Sequence, residues 1–263
     1  MKQKLYVDLH LHLDGAITPE IARKLAKLQD LSLPEDEKEL QRQLSVPSDC
    51  RSLNDFLQCF ALPLSLMQTK KGIEAAVSLV QEAIKKDGIV YSEIRFAPQL
   101  HCEQGLSQEE VVLAALKGLA GSDLKCNLIL CCMRGTHTRE ANLETLRLAE
   151  KYQKRDGGIA ALDLAGAEGL YPTKDYQEIF LLAKEKGIPF TIHAGEADGA
   201  QSVRTALKFG ASRIGHGVRA MEEEELLEQL AKNQICLEMC PTSNRQTKAV
   251  ADMKHYPLVD FLK

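Results

Sequence analysis

Seven short apolar runs, separated by loops and amphipathic stretches, set the order of this chain: Leu5–Leu13, Ile89–Phe96, Leu124–Met133, Ile159–Ala165, Ile188–Ala194, Arg213–Gly217 and Ile235–Cys240. The runs lack strict polar alternation, as parallel strands covered on both faces do. The stretches between them carry apolar residues at three- and four-residue spacing, the mark of amphipathic helices. One such set is Ile73, Ala76, Val77, Val80 and Ile84, closed by Asp87-Gly88; another is Tyr176, Ile179, Phe180 and Ala183, closed by Gly187, where glycine suits a left-handed cap. A third stretch opens with the acids Glu222–Glu225, favoured at the positive end of a helix dipole. Repeated strand–helix order predicts an α/β fold with a parallel sheet. Two architectures fit: a TIM-like (β/α) barrel with seven of its eight units visible, or a doubly wound open sheet. The second usually carries GxGxxG after its first strand, and that motif is absent.

The link between the first two runs, about residues 14–88, is unusually long. Thr18-Pro19-Glu20 reads as an N-cap followed by proline at the first helical position. A second helix there carries Leu53, Phe56, Leu57 and Phe60. Structure inserted after a barrel strand falls on the catalytic face. A helical lid and a plain packing helix are equal readings of this spacing.

The 263 residues are 44% hydrophobic and 27% charged, ordinary for a globular chain. Lys+Arg minus Asp+Glu is 33 − 37 = −4, which gives no drive toward nucleic acid or anionic membrane. No apolar stretch approaches the ~20 residues of a membrane span. Met1-Lys2-Gln3-Lys4-Leu5 has no long apolar run behind it, so no secretory signal is read. The eight cysteines include no CxxC pair, and several lie in apolar runs. They read as free thiols in a reducing cytoplasm.

Chemistry-bearing residues gather at the ends of the runs. Val7-Asp8-Leu9-His10-Leu11-His12-Leu13-Asp14 places His10 and His12 on one face of a strand. Two imidazoles at that spacing fit a tetrahedral metal shell, or a hydrogen-bonded pair. Thr191-Ile192-His193-Ala194-Gly195-Glu196 sets a histidine at a strand end with a carboxylate just beyond, and Ile214-Gly215-His216-Gly217 sets another histidine between glycines. In a barrel all strand ends converge on one face, which would make these motifs one site.

Together the motifs resemble the adenosine deaminase family of metal-dependent amidohydrolases. The matching segments are DLHLHLDGAITPE (8–20), SLNDFLQCF (52–60), EIRFAP (93–98), DLAGAEG (163–169), TIHAGE (191–196), IGHG (214–217) and LEMCPTSN (237–244), nearly the whole chain in the family's order. The resemblance implies that His10, His12 and His193 bind Zn2+. It implies that Glu196 donates a proton to purine N1 and that His216 stands beside the attacking water. It further implies that Asp14 contacts the ribose 5′-hydroxyl, that the Gly166 backbone contacts purine N3, and that Leu53, Phe56, Leu57 and Phe60 form an apolar gate. The implied reaction is hydrolysis of adenosine, and of 2′-deoxyadenosine, to inosine and ammonia in purine salvage. Zinc lowers the pKa of its water from ~15.7 toward ~7. Attack at C6 builds charge at N1, so a carboxylic acid at Glu196 can supply the proton.

The family carries two adjacent aspartates on an eighth strand, and no Asp-Asp or Thr-Asp pair follows Cys240 here. The expectation is therefore one barrel domain over residues 1–263 that is incomplete at its C-terminus, with impaired turnover. The implied partner is a small purine nucleoside, with neither nucleic acid nor membrane; the oligomeric state is not legible. Adenine and AMP deaminases, a phosphoesterase with a similar opening motif, and a non-catalytic nucleoside-binding protein are the alternatives. The PCxxC signature of the other zinc deaminase class is absent.

Overall fold

The computed structural model describes residues 4–262. Met1–Gln3, part of the N-terminal leader reading, and Lys263, the end of the expected domain, lie outside the described residues. Among the described residues there are seven strands: β1 (Tyr6–His12), β2 (Ile89–Phe96), β3 (Lys125–Met133), β4 (Ile159–Ala165), β5 (Thr191–Ala194), β6 (Arg213–His216) and β7 (Cys236–Glu238). The helices are α1 (Pro19–Leu28), α2 (Glu37–Gln43), α3 (Leu53–Leu57), α4 (Ala61–Ser65), α5 (Lys70–Lys86), α6 (Gln108–Leu119), α7 (Arg139–Lys151), α8 (Gln177–Glu185), α9 (Ala200–Phe209), α10 (Glu224–Lys232), α11 (Pro241–Gln246) and α12 (Leu258–Phe261). Among the described residues, no helix is long and apolar enough to cross a membrane.

The strands form a four-stranded sheet in the order β1-β2-β3-β4 and a three-stranded sheet in the order β5-β6-β7. The registers of β1–β2, β2–β3, β5–β6 and β6–β7 are all parallel. A parallel bridge joins Leu162 to Phe190, and the Leu162 N–H donates to the Pro189 carbonyl at 2.9 Å. Strands that neighbour in chain order, each followed by helical structure, have the topology of a (β/α) barrel's successive units.

Contacts divide the chain into two compact units. The first comprises residues 1–46, 59–131 and 144–161; the second comprises 47–58, 132–143 and 162–263. In the first unit, α1 begins at Pro19 behind the Thr18 cap, whose hydroxyl accepts from the Ile21 N–H. Its buried face is Ile21, Ala22, Leu25 and Ala26. Helix α5 buries Ile73, Ala76, Val77 and Val80 of the five-residue stripe legible in the sequence, while Ile84 near its end is half-buried. Gly118 on α6 lets the two helices approach: a Cβ there would sit 2.3 Å from the Glu74 carbonyl oxygen.

His101 is a titratable residue of this first core. It is 1% exposed, its Nδ1 lies 2.9 Å from the Met67 carbonyl, and its ring packs edge-on to Phe96. Burial pushes its pKa down to about 4, against a smaller upward pull from Met67. A histidine depressed in the folded state contributes stability above the unfolded pKa, and loses it as pH falls through the folded value. The window is therefore pH 6.5 down to about 4. Over it the expected loss is roughly 3 kcal/mol, of which about 2 falls between pH 7 and 5. Urea unfolding at the two pH values should show a smaller acid loss in His101→Asn than in the wild type. Equal losses would contradict this assignment.

The second unit holds β5, β6 and β7 and helices α8 to α12. Phe180 on α8 is fully buried between Phe190 and Phe209, at ring distances of 5.0 and 6.4 Å. Two differences from the sequence reading have local causes. The apolar run from Ile188 becomes a strand only at Thr191, because Pro189 lacks the N–H a ladder needs. The acids Glu222–Glu225 do not open one helix. Val218–Glu222 is a 3-10 turn, and Glu223, extended at φ −138°, precedes α10 and pairs with Arg204.

Candidate active site

Each unit presents a pair of imidazoles. In the first, β1 carries His10 and His12, with ring centroids 5.2 Å apart. The β1–β2 register slips between Asp8 and Leu11, where Asp8 Oδ1 accepts the His10 N–H at 3.0 Å. Arg95, fully buried on β2, donates to the Leu9 carbonyl at 2.5 Å and ties this irregular stretch down. After β1 the chain turns through Asp14–Ala16. Burial raises the Asp14 carboxyl to about 6, opposed by the Gly15 N–H that donates to it at 2.9 Å. A Cβ on Gly15 would lie 3.6 Å from Phe60 Cε1 and 3.5 Å from His12 Cβ, so the Phe60 ring stands over the turn that follows the histidines.

In the second unit, β5 ends on His193 and β6 on His216, with ring centroids 5.2 Å apart. Both are buried. His193 Nδ1 lies 2.8 Å from Asp163 Oδ2 and 3.1 Å from Oδ1. Asp163 is itself fully buried on β4 and takes the Leu164 N–H at 2.7 Å. A carboxylate behind Nδ1 fixes the proton there and leaves the Nε2 lone pair outward, the arrangement found behind metal-ligating histidines.

Glu196 follows in a tight loop. Its Oε2 lies 3.4 Å from His216 Nε2, and its Oε1 lies 3.0 Å from Thr247 Oγ1 and 3.4 Å from both Ser243 Oγ and Asn244 Nδ2. Thr247 Oγ1 is also 3.0 Å from the Ser243 carbonyl. A hydroxyl has one proton to give. Thr247 can donate to a Glu196 carboxylate, or give its proton to Ser243 and accept from a Glu196 carboxylic acid. The neighbourhood thus accommodates both protonation states of Glu196.

The loop is held from beneath by Glu168, a buried carboxylate to which the sequence reading assigned no role. Oε1 accepts the Gly195 N–H at 2.7 Å and the Ser202 hydroxyl at 2.6 Å. Oε2 accepts the N–H groups of Glu196, Ala197 and Asp198 at 3.0, 2.7 and 3.0 Å. These donors lie just ahead of α9, where the helix dipole also favours negative charge. Gly195 has φ +71°, and a Cβ there would meet Val203 at 2.7 Å, so the loop needs glycine at that position. Buried Arg134 completes the frame: it donates to the His193 carbonyl at 2.6 Å, to the Tyr171 carbonyl at 2.7 Å and to Thr173 Oγ1 at 2.9 Å. Thr173 meets Ser202 at 2.7 Å, which closes a chain from Arg134 to Glu168.

Gly166 lies beyond β4 at φ +106°, and a Cβ there would contact Arg134 at 3.4 Å. Leu53, Phe56 and Leu57 form α3, capped by Ser52, whose hydroxyl accepts the Asp55 N–H; all three are half-buried, as is Phe60 in the first unit. Glu238 at the end of β7, itself buried, pairs with half-buried Arg213 at 2.9 Å.

The family model for adenosine deaminase matches residues 6–263. The adenosine deaminase of Haemophilus ducreyi is 53% identical over 97% of this chain and 76% of its own length. That of Enterococcus faecalis is 38% identical over all of this chain and 78% of its own. Among solved structures, the adenine deaminase of Arthrobacter aurescens superposes with a TM-score of 0.85 at 29% identity, covering 97% of this chain and 78% of that one. The Arabidopsis N6-methyl-AMP deaminase superposes with a TM-score of 0.81 at 26% identity, covering 98% and 78%. These are TIM-barrel deaminases, and the parallel strand order described above agrees with them. The chain belongs to the adenosine deaminase family, a family of metal-dependent hydrolytic deaminases.

Proposed function

We propose that this protein hydrolyses adenosine, and 2′-deoxyadenosine, to inosine and ammonia, with zinc as its metal. The reading rests chiefly on Glu196, a buried carboxylate set against His216 and surrounded by groups that tolerate it with or without a proton. The identity to named adenosine deaminases supports it.

In this reading His10, His12 and His193 hold the metal. The donor set suits zinc, which takes imidazole nitrogen in a tetrahedral shell, and the Asp163 carboxylate behind His193 is the accompaniment such a ligand needs. When bound, zinc supplies water acidified from a pKa of ~15.7 toward ~7. The residues of the chain do the rest. Glu196, protonated in the substrate complex, gives its proton to N1 as the oxygen of water adds to C6. His216 places a polar ring nitrogen on the side of the attacking oxygen. The amino group takes the proton of the added hydroxyl, the C6–N bond breaks and ammonia leaves, so that the carbonyl of inosine remains with N1 protonated; the water's other proton returns Glu196 to its acid form. Asp14 accepts from the ribose 5′-hydroxyl, the Gly166 backbone meets N3, and Leu53, Phe56, Leu57 and Phe60 exclude water as an apolar gate. We place the reaction in the cytoplasm, a reading that rests on cysteine spacing with no CxxC pair.

Steady-state rates on adenosine, adenine and AMP test the substrate. The expected order has adenosine first in kcat/KM; a preference for adenine or AMP would move the chain to the chemistry named for its structural neighbours. Asp163→Asn tests the metal side. Zinc affinity should fall about 10–100-fold, with secondary structure unchanged, because His193 loses its orienting anion. Unaltered affinity would remove His193 from the proposed ligand set.

A further inference from the structure

We propose that Asn244 and Tyr256 are positioning residues that hold neutral His216 with its proton on Nε2, so that His216 meets the reacting atoms as a hydrogen-bond donor. The proposal deepens the deaminase reading and rests on it for its catalytic meaning.

His216 ends β6 at φ +62°, a conformation a non-glycine residue adopts only when its surroundings impose it. Its Nδ1 lies 2.8 Å from Asn244 Nδ2. A carboxamide offers an acceptor on one side and donors on the other, so its orientation decides what Nδ1 must be. Glu196 decides that orientation, and Tyr256 fits it. The Tyr256 hydroxyl donates to Asn244 Oδ1 at 3.0 Å, and Glu196 Oε1 lies 3.4 Å from Nδ2. Turned over, the amide would aim its oxygen at Glu196 Oε1, acceptor against acceptor whenever Glu196 is ionised. Asn244 is fully buried, so no solvent offsets such a mismatch. Its backbone is pinned as well: its N–H donates to the Cys240 carbonyl at 2.9 Å and its carbonyl accepts from Val250 at 3.2 Å. Desolvation pushes the Tyr256 phenol above its ordinary value, which keeps its proton available to Asn244 Oδ1.

With Nδ2 donating, Nδ1 must accept, and the neutral ring carries its proton on Nε2. That nitrogen is the one 3.4 Å from Glu196 Oε2. A protonated Nε2 cannot take a proton from water. It can donate to Glu196 in the free protein and to the attacking oxygen during reaction. Of the two roles open to His216, proton shuttle or electrostatic partner, this geometry selects the second.

The test is the tautomer itself, read by long-range proton–nitrogen NMR on metal-loaded protein labelled in its imidazole nitrogens. The His216 signals are identified by their loss in His216→Asn. A bare Nδ1 and a protonated Nε2 are expected; the reverse pattern overturns the proposal. In Asn244→Asp the carboxylate can only accept, so the pattern should invert, and an unchanged pattern would show that Asn244 does not set it. Only the tautomer is read in that variant, because the new carboxylate also crowds Glu196. Tyr256→Phe is the milder probe. Its kcat on adenosine should fall roughly tenfold, about the worth of one hydrogen bond, with KM within about twofold. A lowered melting temperature with unchanged kcat would make Tyr256 merely structural and end its part in the proposal. Should the protein turn over no adenosine, the deaminase reading fails by itself, and the NMR patterns still decide the tautomer.

Discussion

Glu196→Gln is expected to lower kcat on adenosine by about 10²–10⁴-fold while leaving bound metal unchanged, the range associated with loss of a positioned acid. The side chain keeps its length and can still face Thr247, Ser243 and Asn244, which lie within 3.4 Å of Oε1. What it loses is the ability to carry a proton to N1. Charge that builds on the purine as C6 is attacked then has no acid to neutralise it. KM should change little, because the proton matters in the transition state rather than in the ground-state complex. Rates and metal content measured on one preparation decide the matter: full turnover with metal intact would remove Glu196 from the acid role.

The second large effect belongs to a residue that never touches substrate in this account. Glu168→Ala should destabilise the protein by roughly 3–5 kcal/mol, as removal of one member of a buried charged network does. Its carboxylate takes hydrogen bonds from Gly195, Glu196, Ala197, Asp198 and Ser202. Deleting it orphans a run of backbone N–H groups and leaves buried Arg134 without the anion at the other end of its hydroxyl chain. The same loop carries Glu196, so kcat should fall as well. Urea unfolding at neutral pH checks the first claim; a loss under about 1 kcal/mol would mean that water or a rearranged loop satisfies the donors.

The fold was legible wherever the local pattern carries the global answer. The stripe Ile73, Ala76, Val77 and Val80 is buried on α5 as its spacing requires, and β2 and β4 span the residues of their apolar runs. The strand period brought His10 and His12 to one face, and their rings are 5.2 Å apart. Strand ends placed His193 and His216, which lie equally close. Boundaries were less legible where a single residue intervenes. Pro189 delays β5, and β7 stops at Glu238 because Pro241, two residues past Met239, already opens α11.

The supporting groups were not legible as such. Asp163 and Glu168 stood inside a recognised segment, yet nothing in its spacing told which carboxylate would sit behind His193 and which would hold the 195–198 loop. Asn244 meets His216 from 28 positions away in the chain and Tyr256 meets Asn244 from 12, and hydrogen bonds between such distant side chains leave no periodic trace. The positive φ of Gly195 and Gly166 is visible only as glycine, a residue that many turns share.

The central claim is that a metal held by His10, His12 and His193 works with Glu196 and His216 on adenosine. Ammonia release from adenosine tests it most directly, measured on the zinc-loaded protein, on chelator-stripped protein, and on His193→Ala. The account predicts ammonia and inosine in equal amounts from the loaded protein, loss on stripping, recovery on adding zinc, and no recovery in His193→Ala. Turnover indifferent to chelation and to His193, or a zinc-loaded protein that releases no ammonia from adenosine, would contradict it.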